Sequence, residues 1–142
     1  MTIKEIQEEI IAEFSELDDW MDRYQLLIDM GNELAPLADN FKVEQNLIDG
    51  CQSRVWIVCE ESGGKLLFQA DSDALIVKGI IALIIRVFNN QTADDILDTD
   101  LYFIDAIGLK EHLSPTRSNG LLAMIKQIRI YALAFKSKHS NN

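Results

Sequence analysis

Cysteine is scarce in this sequence: Cys51 and Cys59 are the only two among 142 residues. Two thiols cannot form the disulfide framework of a small secreted domain, and by themselves they cannot complete a four-cysteine zinc or iron–sulfur site. The first residues also lack the charged and apolar segments of a secretory signal peptide. We therefore expect a reduced, cytoplasmic protein that holds no metal and no cofactor of its own.

Basic residues are almost absent from the first 40 positions, which hold eleven Asp or Glu against Lys4 and Arg23. This segment carries a charge of −9, whereas the whole chain carries −10. A nucleic-acid partner is not expected, because a polyanion binds a basic surface. From Lys110 onward six basic residues accompany a single acid, Glu111, which is typical of a solvated helix face and would also suit an acidic protein partner.

Long uncharged apolar runs are missing as well. The most apolar stretch, residues 74–89, contains Lys78 and Arg86, which excludes a membrane-spanning helix and predicts a buried one. Of all residues, 48% are hydrophobic and 25% are charged, as in an ordinary globular protein. A chain of this length fits one domain, so we assign residues 1–142 to a single unit.

Helical periodicity dominates the first third of the chain. Thr2 and Glu5 have the spacing of a capping box, which predicts the start of an amphipathic helix. A second helix is predicted from Trp20 to Gly31, where the glycine would end it. Residues 32–46 are predicted to form a long loop with one short helical turn, and loops of that length are often functional.

The middle of the chain predicts a β-hairpin, with strands over residues 54–60 and 65–70 joined by a glycine turn. Residues 71–73, Asp-Ser-Asp, would cap the buried helix that follows.

A short helix is then predicted from Thr92 to Asp98, and an irregular link over residues 100–109. Ser114 and Pro115 are typical of a helix start. The closing helix is predicted to turn seven residues to the core: Leu121, Leu122, Met124, Ile125, Ile128, Ala132 and Phe135.

Cys51 is the strongest candidate for chemistry. Gly50 precedes it and can adopt a positive φ, so the chain can turn sharply and present the thiol at a loop tip just before the first strand. An unpaired cysteine in a reduced protein is a candidate nucleophile, although the alternative of a small buried side chain stays open. Cys59 lies within the strand and is predicted to be core.

Three blocks of sequence resemble the signature of one family. They are IDGCQSRVWI at residues 48–57, ADSDALIVKG at 70–79 and HLSPTRSNGL at 112–121. In this order and spacing they resemble the SufE family of sulfur acceptors, including its CsdE branch. The resemblance implies an α+β fold with a small antiparallel sheet flanked by helices, similar to the fold of iron–sulfur assembly scaffolds.

The resemblance also implies a function. Cys51 would accept a persulfide sulfur from a pyridoxal-phosphate-dependent cysteine desulfurase of the SufS or CsdA type and would stimulate that enzyme. It would then deliver the sulfur to an iron–sulfur assembly scaffold. On this interpretation the chain is an accessory activator rather than an independent enzyme, and the pyridoxal phosphate belongs to the partner.

Further residues are predicted to support Cys51. Donors beside a thiolate or perthiolate would come from the turn itself, at Gly50, Gln52, Ser53 and Arg54. Three more are predicted to lie near the same end of the molecule and to shape the site or bind the partner: Asp73, His112 and Arg117. Asp73 is expected to be a helix cap first and a partner contact second. Arg117 is expected to dock the desulfurase, with an exposed surface charge or an internal ion pair as the alternatives. His112 is expected to shape the site, to form buried hydrogen bonds or to transfer protons. We also expect the thiol to be sheltered by apolar surface between turnovers.

Two other functions remain open from the residues alone. An iron–sulfur or zinc scaffold would need His112 and aspartates to supplement the two thiols. A cysteine hydrolase would pair Cys51 with His112. Neither a convergent thiol cluster nor an oxyanion-hole motif is recognisable in the sequence.

Overall fold

Six helices and a two-stranded sheet form the part of the chain that the computed structural model describes, residues 1–140. This confirms the predicted α+β class. In chain order the elements are α1 (Ile3–Ser15), α2 (Trp20–Glu33), β1 (Val55–Ser62), β2 (Lys65–Ser72), α3 (Leu75–Phe88), α4 (Ala93–Asp98), α5 (Phe103–Ala106) and α6 (Pro115–Ser140). Short 3-10 turns occur at Asp39–Phe41, Glu44–Asn46 and Lys110–His112.

The two strands form an antiparallel hairpin in which Val55 pairs with Ser72 and Ser62 pairs with Lys65. Gly63 and Gly64 make the turn at positive φ, as a tight hairpin requires. The hairpin was predicted, but each strand ends two residues later than the sequence pattern indicated, at Ser62 and at Ser72. Strand pairing therefore continues through Ser72, close to the Cys51 turn.

The helix α3 is the centre of the core. Ten of its fourteen residues are buried, and eight of these belong to one contiguous apolar cluster with residues of α1, α2, α6 and one face of the sheet. This confirms the buried helix that the sequence predicted. Within residues 1–140, none of the helices is apolar over a length sufficient to cross a membrane.

The helices α2 and α3 cross through a close contact between two glycines. A Cβ atom at Gly79 would lie 2.1 Å from the backbone oxygen of Leu27, and one at Gly31 would lie 2.9 Å from the nitrogen of Gly79. The prediction that Gly31 ends α2 is therefore wrong, since the helix continues to Glu33. Gly31 lies inside the helix because a side chain there would separate α2 from α3.

Several helix starts agree with the sequence. The capping box of Thr2 and Glu5 is formed in both directions, and Thr92 accepts a hydrogen bond from the amide of Asp95. Ser114 Oγ accepts from the amide of Arg117 at 3.3 Å, at the start of α6. Two details differ: residues 32–46 contain two 3-10 turns, and the predicted irregular link contains the short helix α5.

The prediction that Leu122 faces the core is wrong, because its side chain is 49% exposed. The other predicted core positions of α6 are buried or packed against the core. Leu121 and Leu122 are adjacent on the helix and differ by about 100° in direction, so only one of them can face inward.

Candidate functional site

Cys51 lies in the loop that leads into β1. The amide of Ile48 donates to the carbonyl of Val55 at 2.9 Å, which closes the base of this loop. Gly50 has a φ of +91°, a value that other residues rarely adopt, and it turns the chain at the loop tip. The predicted presentation of Cys51 by a glycine turn is therefore present in the structure.

The Cys51 sulfur lies against the first turns of α6. Its Sγ is 3.7 Å from the carbonyl oxygen of Gly120, to which the thiol donates, and a Cβ atom at Gly120 would lie 3.5 Å from Sγ. A Cβ at Gly50 would in turn lie 3.5 Å from the Cβ of Ala123. The loop tip thus rests on a helix surface made of small residues, and Cys51 is half-buried there.

Burial raises the pKa of the Cys51 thiol, because the thiolate loses hydration when it is enclosed. At neutral pH the resting site therefore holds the protonated, weakly nucleophilic form. An event that exposes Cys51 or brings a positive charge beside it would increase the thiolate fraction.

An open cavity of about 330 Å³ adjoins this contact. It brings the three sequence blocks together, because its lining residues come from the Cys51 loop, from α3 and from the start of α6: Gln52, Ser53, Val77, Ser114, Thr116, Arg117 and Gly120. Most of these side chains are polar, with hydroxyl, amide and guanidinium groups among them. Such groups can donate hydrogen bonds to an anionic sulfur species or to the backbone of a partner.

Asp73 fixes the far end of the Cys51 loop. Its Oδ1 accepts from the amide of Arg54 at 3.1 Å, and its own amide donates to the Arg54 carbonyl. Ser72 Oγ donates to the same carbonyl at 2.8 Å. The prediction that residues 71–73 cap the next helix is wrong: α3 begins at Leu75 with Ala74 at the N-cap position and no side-chain cap.

Asp71 forms a charged cluster that the sequence reasoning missed. It is buried at the end of β2 and forms ion pairs with Lys42 at 3.2 Å and Lys78 at 3.4 Å. Burial alone would raise the pKa of Asp71, but the amide of Ser72 and the two lysines outweigh it and lower that pKa. The cluster ties the segment that carries Lys42 to the sheet and to α3.

The contacts of His112 indicate a structural role. Its ring stacks on Trp20 with the centroids 3.8 Å apart, and its Nδ1 lies 3.1 Å from the carbonyl of Gly108. The hydroxyl of Tyr24 donates to the His112 carbonyl. Among the described residues no hydrogen bond joins His112 to Cys51, so the structure does not assemble the pair that a cysteine hydrolase would need. No local pattern pointed to Trp20 as the partner of His112, because the stack joins residues far apart in the chain.

Arg117 is exposed at the rim of the cavity. Within the described part of the chain its guanidinium forms no ion pair, which removes the internal-pair alternative. An exposed arginine at the rim of this cavity is available to a partner's carboxylate or phosphate.

Cys59 differs from Cys51. It lies within β1, where it pairs with Phe68, and its pKa is raised to about 12 by burial and by the charge of Glu60. Residues 1–140 also contain no group of three or more His, Cys, Asp or Glu side chains arranged to hold a metal ion. The described residues therefore do not assemble the ligand set that the scaffold alternative would need.

Comparison with known proteins identifies a family and a similar fold. Residues 8–132 match the family described as SufE, Fe-S metabolism associated domain. The fold is similar to the solution structure of a hypothetical protein from Thermus thermophilus, with a TM-score of 0.74 and 20% sequence identity. That alignment covers 91% of this chain and 94% of the other, and at this identity it indicates the fold alone.

Proposed function

This chain belongs to the SufE family of Fe-S metabolism associated domains, and from that premise we propose that Cys51 accepts sulfur from the persulfide of a cysteine desulfurase. Membership of the family indicates a role in iron–sulfur metabolism. The acceptor role, the partners and the stimulation of the desulfurase are our proposal. The observation that carries it is the contact of the Cys51 sulfur with Gly120 beside a polar cavity whose rim carries the exposed Arg117.

The transfer is a thiol–persulfide exchange. The Cys51 thiolate attacks the outer sulfur of the desulfurase persulfide and forms a new S–S bond. The S–S bond within the desulfurase persulfide breaks, and its electron pair leaves with the desulfurase cysteine, which takes up a proton. One sulfur atom moves and no external oxidant or reductant is needed.

The resting position of Cys51 suits a carrier. A persulfide in open solvent would meet other thiols and lose its sulfur, whereas a sulfur against Gly120 is shielded on one side by α6. The same burial raises the pKa of the thiol and slows its reaction in the absence of a partner. We propose that docking of the desulfurase moves the loop outward and increases the thiolate fraction.

Arg117 and the polar residues of the cavity have a separate role in this proposal. Arg117 docks the desulfurase, while Gln52 and Ser53 offer donors to the incoming sulfur anion. His112 has no proton-transfer role in this proposal, because it stacks on Trp20 and does not line the cavity.

The downstream partner is an iron–sulfur assembly scaffold, which would attack the Cys51 persulfide in a second exchange of the same kind. In this account the chain is an accessory activator in the cytoplasm, where thiols remain reduced. The pyridoxal phosphate chemistry belongs to the desulfurase.

Intact-mass spectrometry tests this proposal. The chain is incubated with a SufS-type desulfurase and cysteine, and we expect the mass to increase by one sulfur atom. Cys51→Ser should abolish both the increase and the stimulation of the desulfurase, while Cys59→Ser, the matched control, should retain both. Equal sulfur uptake by the Cys51→Ser protein would refute the proposal.

A further inference from the structure

The last helix has two apolar faces and buries only one of them. Its inner face joins the core through Leu121, Met124, Ile125, Ile128 and Ala132. On the outer face Leu122 is 49% exposed, Ile130 is 46% exposed and Leu133 is 56% exposed. Three of the eight large exposed hydrophobic residues of the described chain thus share one helix.

These outer residues line a single groove. Together with Leu97 of α4 and the edge of Ile125 they enclose about 360 Å³, and the other lining residues are Lys126 and Arg129. Residues 122, 126, 129, 130 and 133 follow the helical repeat, so they form one stripe about 16 Å long. We call this surface the α6 groove. Scattered exposed leucines need no explanation, but an aligned stripe of them indicates a binding surface.

The charge of the groove is basic. The 26 residues of α6 include five Lys or Arg and no Asp or Glu, although the whole chain is strongly acidic. Lys126 is exposed in the groove, and Arg129 Nη2 donates to the carbonyl of Thr99 at its edge. Asp94 of the adjacent helix is paired with Lys136 at 2.8 Å. The first 40 residues carry a charge of −9, and physiological salt screens this charge at distances beyond about 8 Å.

The size of the groove favours a transient partner over a second copy of the chain. A stable protein–protein contact buries about 800 Å² on each partner. The groove is lined by seven residues, whereas such a contact involves about 20 to 30 residues on each partner. Two copies would also bring their Lys126 side chains into the same contact, and like charges oppose such pairing.

From this combination we propose that the α6 groove binds an amphipathic helix of a partner protein, with apolar residues flanked by Asp or Glu. Such a helix would lay its apolar residues along Leu122, Ile130 and Leu133 and place carboxylates near Lys126 and Arg129. Leu122 is about 200° around α6 from Gly120, which faces Cys51. The groove can therefore stay occupied while Cys51 is engaged, and the inference extends beyond the sulfur-acceptor role.

Two synthetic peptides test this binding without a desulfurase. Both are about 15 residues long, stapled into helices, and share one leucine stripe, which is flanked by Glu in one peptide and by Lys in the other. Fluorescence anisotropy at physiological salt, where the distant acidic segment is screened, should give at least about tenfold tighter binding of the Glu peptide. Equal affinities, or no binding of either peptide, would overturn the proposal.

Variants locate the contact. Leu133→Gln and Leu122→Gln should each weaken the Glu peptide at least about fivefold, whereas Met21→Gln, an exposed residue on α2, should have no effect. The double variant Lys126→Glu, Arg129→Glu should reverse the preference toward the Lys peptide. Unchanged binding by Leu133→Gln, or a dimer in sedimentation that Leu133→Gln dissociates, would contradict the proposal. Sulfur uptake at Cys51 is measured separately, so either proposal can fail alone.

Discussion

Cys51 and Cys59 are the same residue type, both are half-buried, and burial raises the pKa of both thiols. They differ in what holds them. Cys59 is fixed in the β ladder opposite Phe68, and the adjacent Glu60 further opposes its ionisation. Cys51 is on a loop tip that rests on α6 through one weak S–H···O contact.

Burial alone therefore does not decide whether a thiol can become exposed to a partner. Moving Cys59 out of its environment would break strand pairing, whereas moving Cys51 requires only that a short loop leave the surface of Gly120 and Ala123. Experiments on both thiols can test this contrast between a strand position and a loop position.

The first prediction concerns alkylation of the two thiols in the native protein. At pH 8 a thiol with a pKa of about 12 has roughly 1000-fold less thiolate than one at the ordinary 9.0. Iodoacetamide should therefore modify Cys59 about 1000-fold more slowly than free cysteine. The alkylation rate of Cys51 should lie between that of Cys59 and that of free cysteine. The rates of Cys51 and Cys59 should both rise with pH, because each thiol has a raised pKa and ionises at higher pH.

Single-thiol proteins provide the measurement. Cys59→Ser reports on Cys51 and Cys51→Ser reports on Cys59, with the products assigned by mass. If Cys59 reacts as quickly as Cys51, the contrast between strand and loop is wrong.

The second prediction separates docking from chemistry. Arg117→Ala should raise the protein concentration needed for half-maximal stimulation of the desulfurase about tenfold, the effect of losing about 1.4 kcal/mol of binding. Alkylation of Cys51 should not change, because burial, and not the charge of Arg117, shifts the pKa of that thiol. Arg117→Lys should recover only part of the loss, since lysine cannot bind a carboxylate in bidentate fashion.

Lys65→Ala is the matched control for Arg117, because it removes an exposed positive charge at the opposite end of the hairpin. An equal loss in that variant would mean that net charge, and not the position of Arg117, guides docking.

The third prediction concerns the hydrogen bond between Asp73 and Arg54, which restrains the Cys51 loop. Asp73→Ala removes the acceptor for the Arg54 amide and leaves the Ser72 hydrogen bond to the Arg54 carbonyl in place. Loss of the Asp73 hydrogen bond should destabilise the closed loop by about 1 kcal/mol. The population of the open loop and the alkylation rate of Cys51 should therefore increase about fivefold. Cys59 should be unaffected, and so should both thiols in Asp18→Ala, which removes an exposed carboxylate elsewhere. A slower reaction at Cys51 would show that Asp73 does not restrain the loop.

The smallest effect is expected at Gly120. Alanine fits there, because its Cβ would lie 3.5 Å from the Cys51 sulfur, an ordinary contact. The helix should gain about 1 kcal/mol of unfolding free energy, measured by denaturant titration. In the Gly120→Ala variant the added methyl group would occupy space that the outer sulfur of a Cys51 persulfide needs. The fraction of protein that retains the persulfide should therefore fall about threefold. An unchanged fraction would place the outer sulfur away from α6.

Local signals in the sequence predicted much of this fold. The capping pair of Thr2 and Glu5, the hairpin glycines and the Ser114–Pro115 helix start each act within a few residues of chain, and each is present in the structure. The candidate nucleophile also came from local information, because a glycine turn before a strand is a short pattern.

The errors share a different origin. Asp73 is followed by an apolar helix and resembles its cap, but it bonds to Arg54, 19 residues earlier. Gly31 resembles a helix stop, yet its role comes from contact with Gly79. Leu122 cannot be distinguished from its neighbour until the packing direction of α6 is known. Contacts between distant residues decide such cases, and periodicity alone does not reveal them.

Locating the transferred sulfur in the unmutated protein would show whether Cys51 is the acceptor. The protein would be loaded by a desulfurase with isotopically labelled cysteine, trapped by rapid alkylation, digested and mapped by mass spectrometry. The account predicts labelled sulfur on the peptide that contains Cys51 and none on the peptide that contains Cys59. Label on Cys59, or label divided equally between the two peptides, would contradict it.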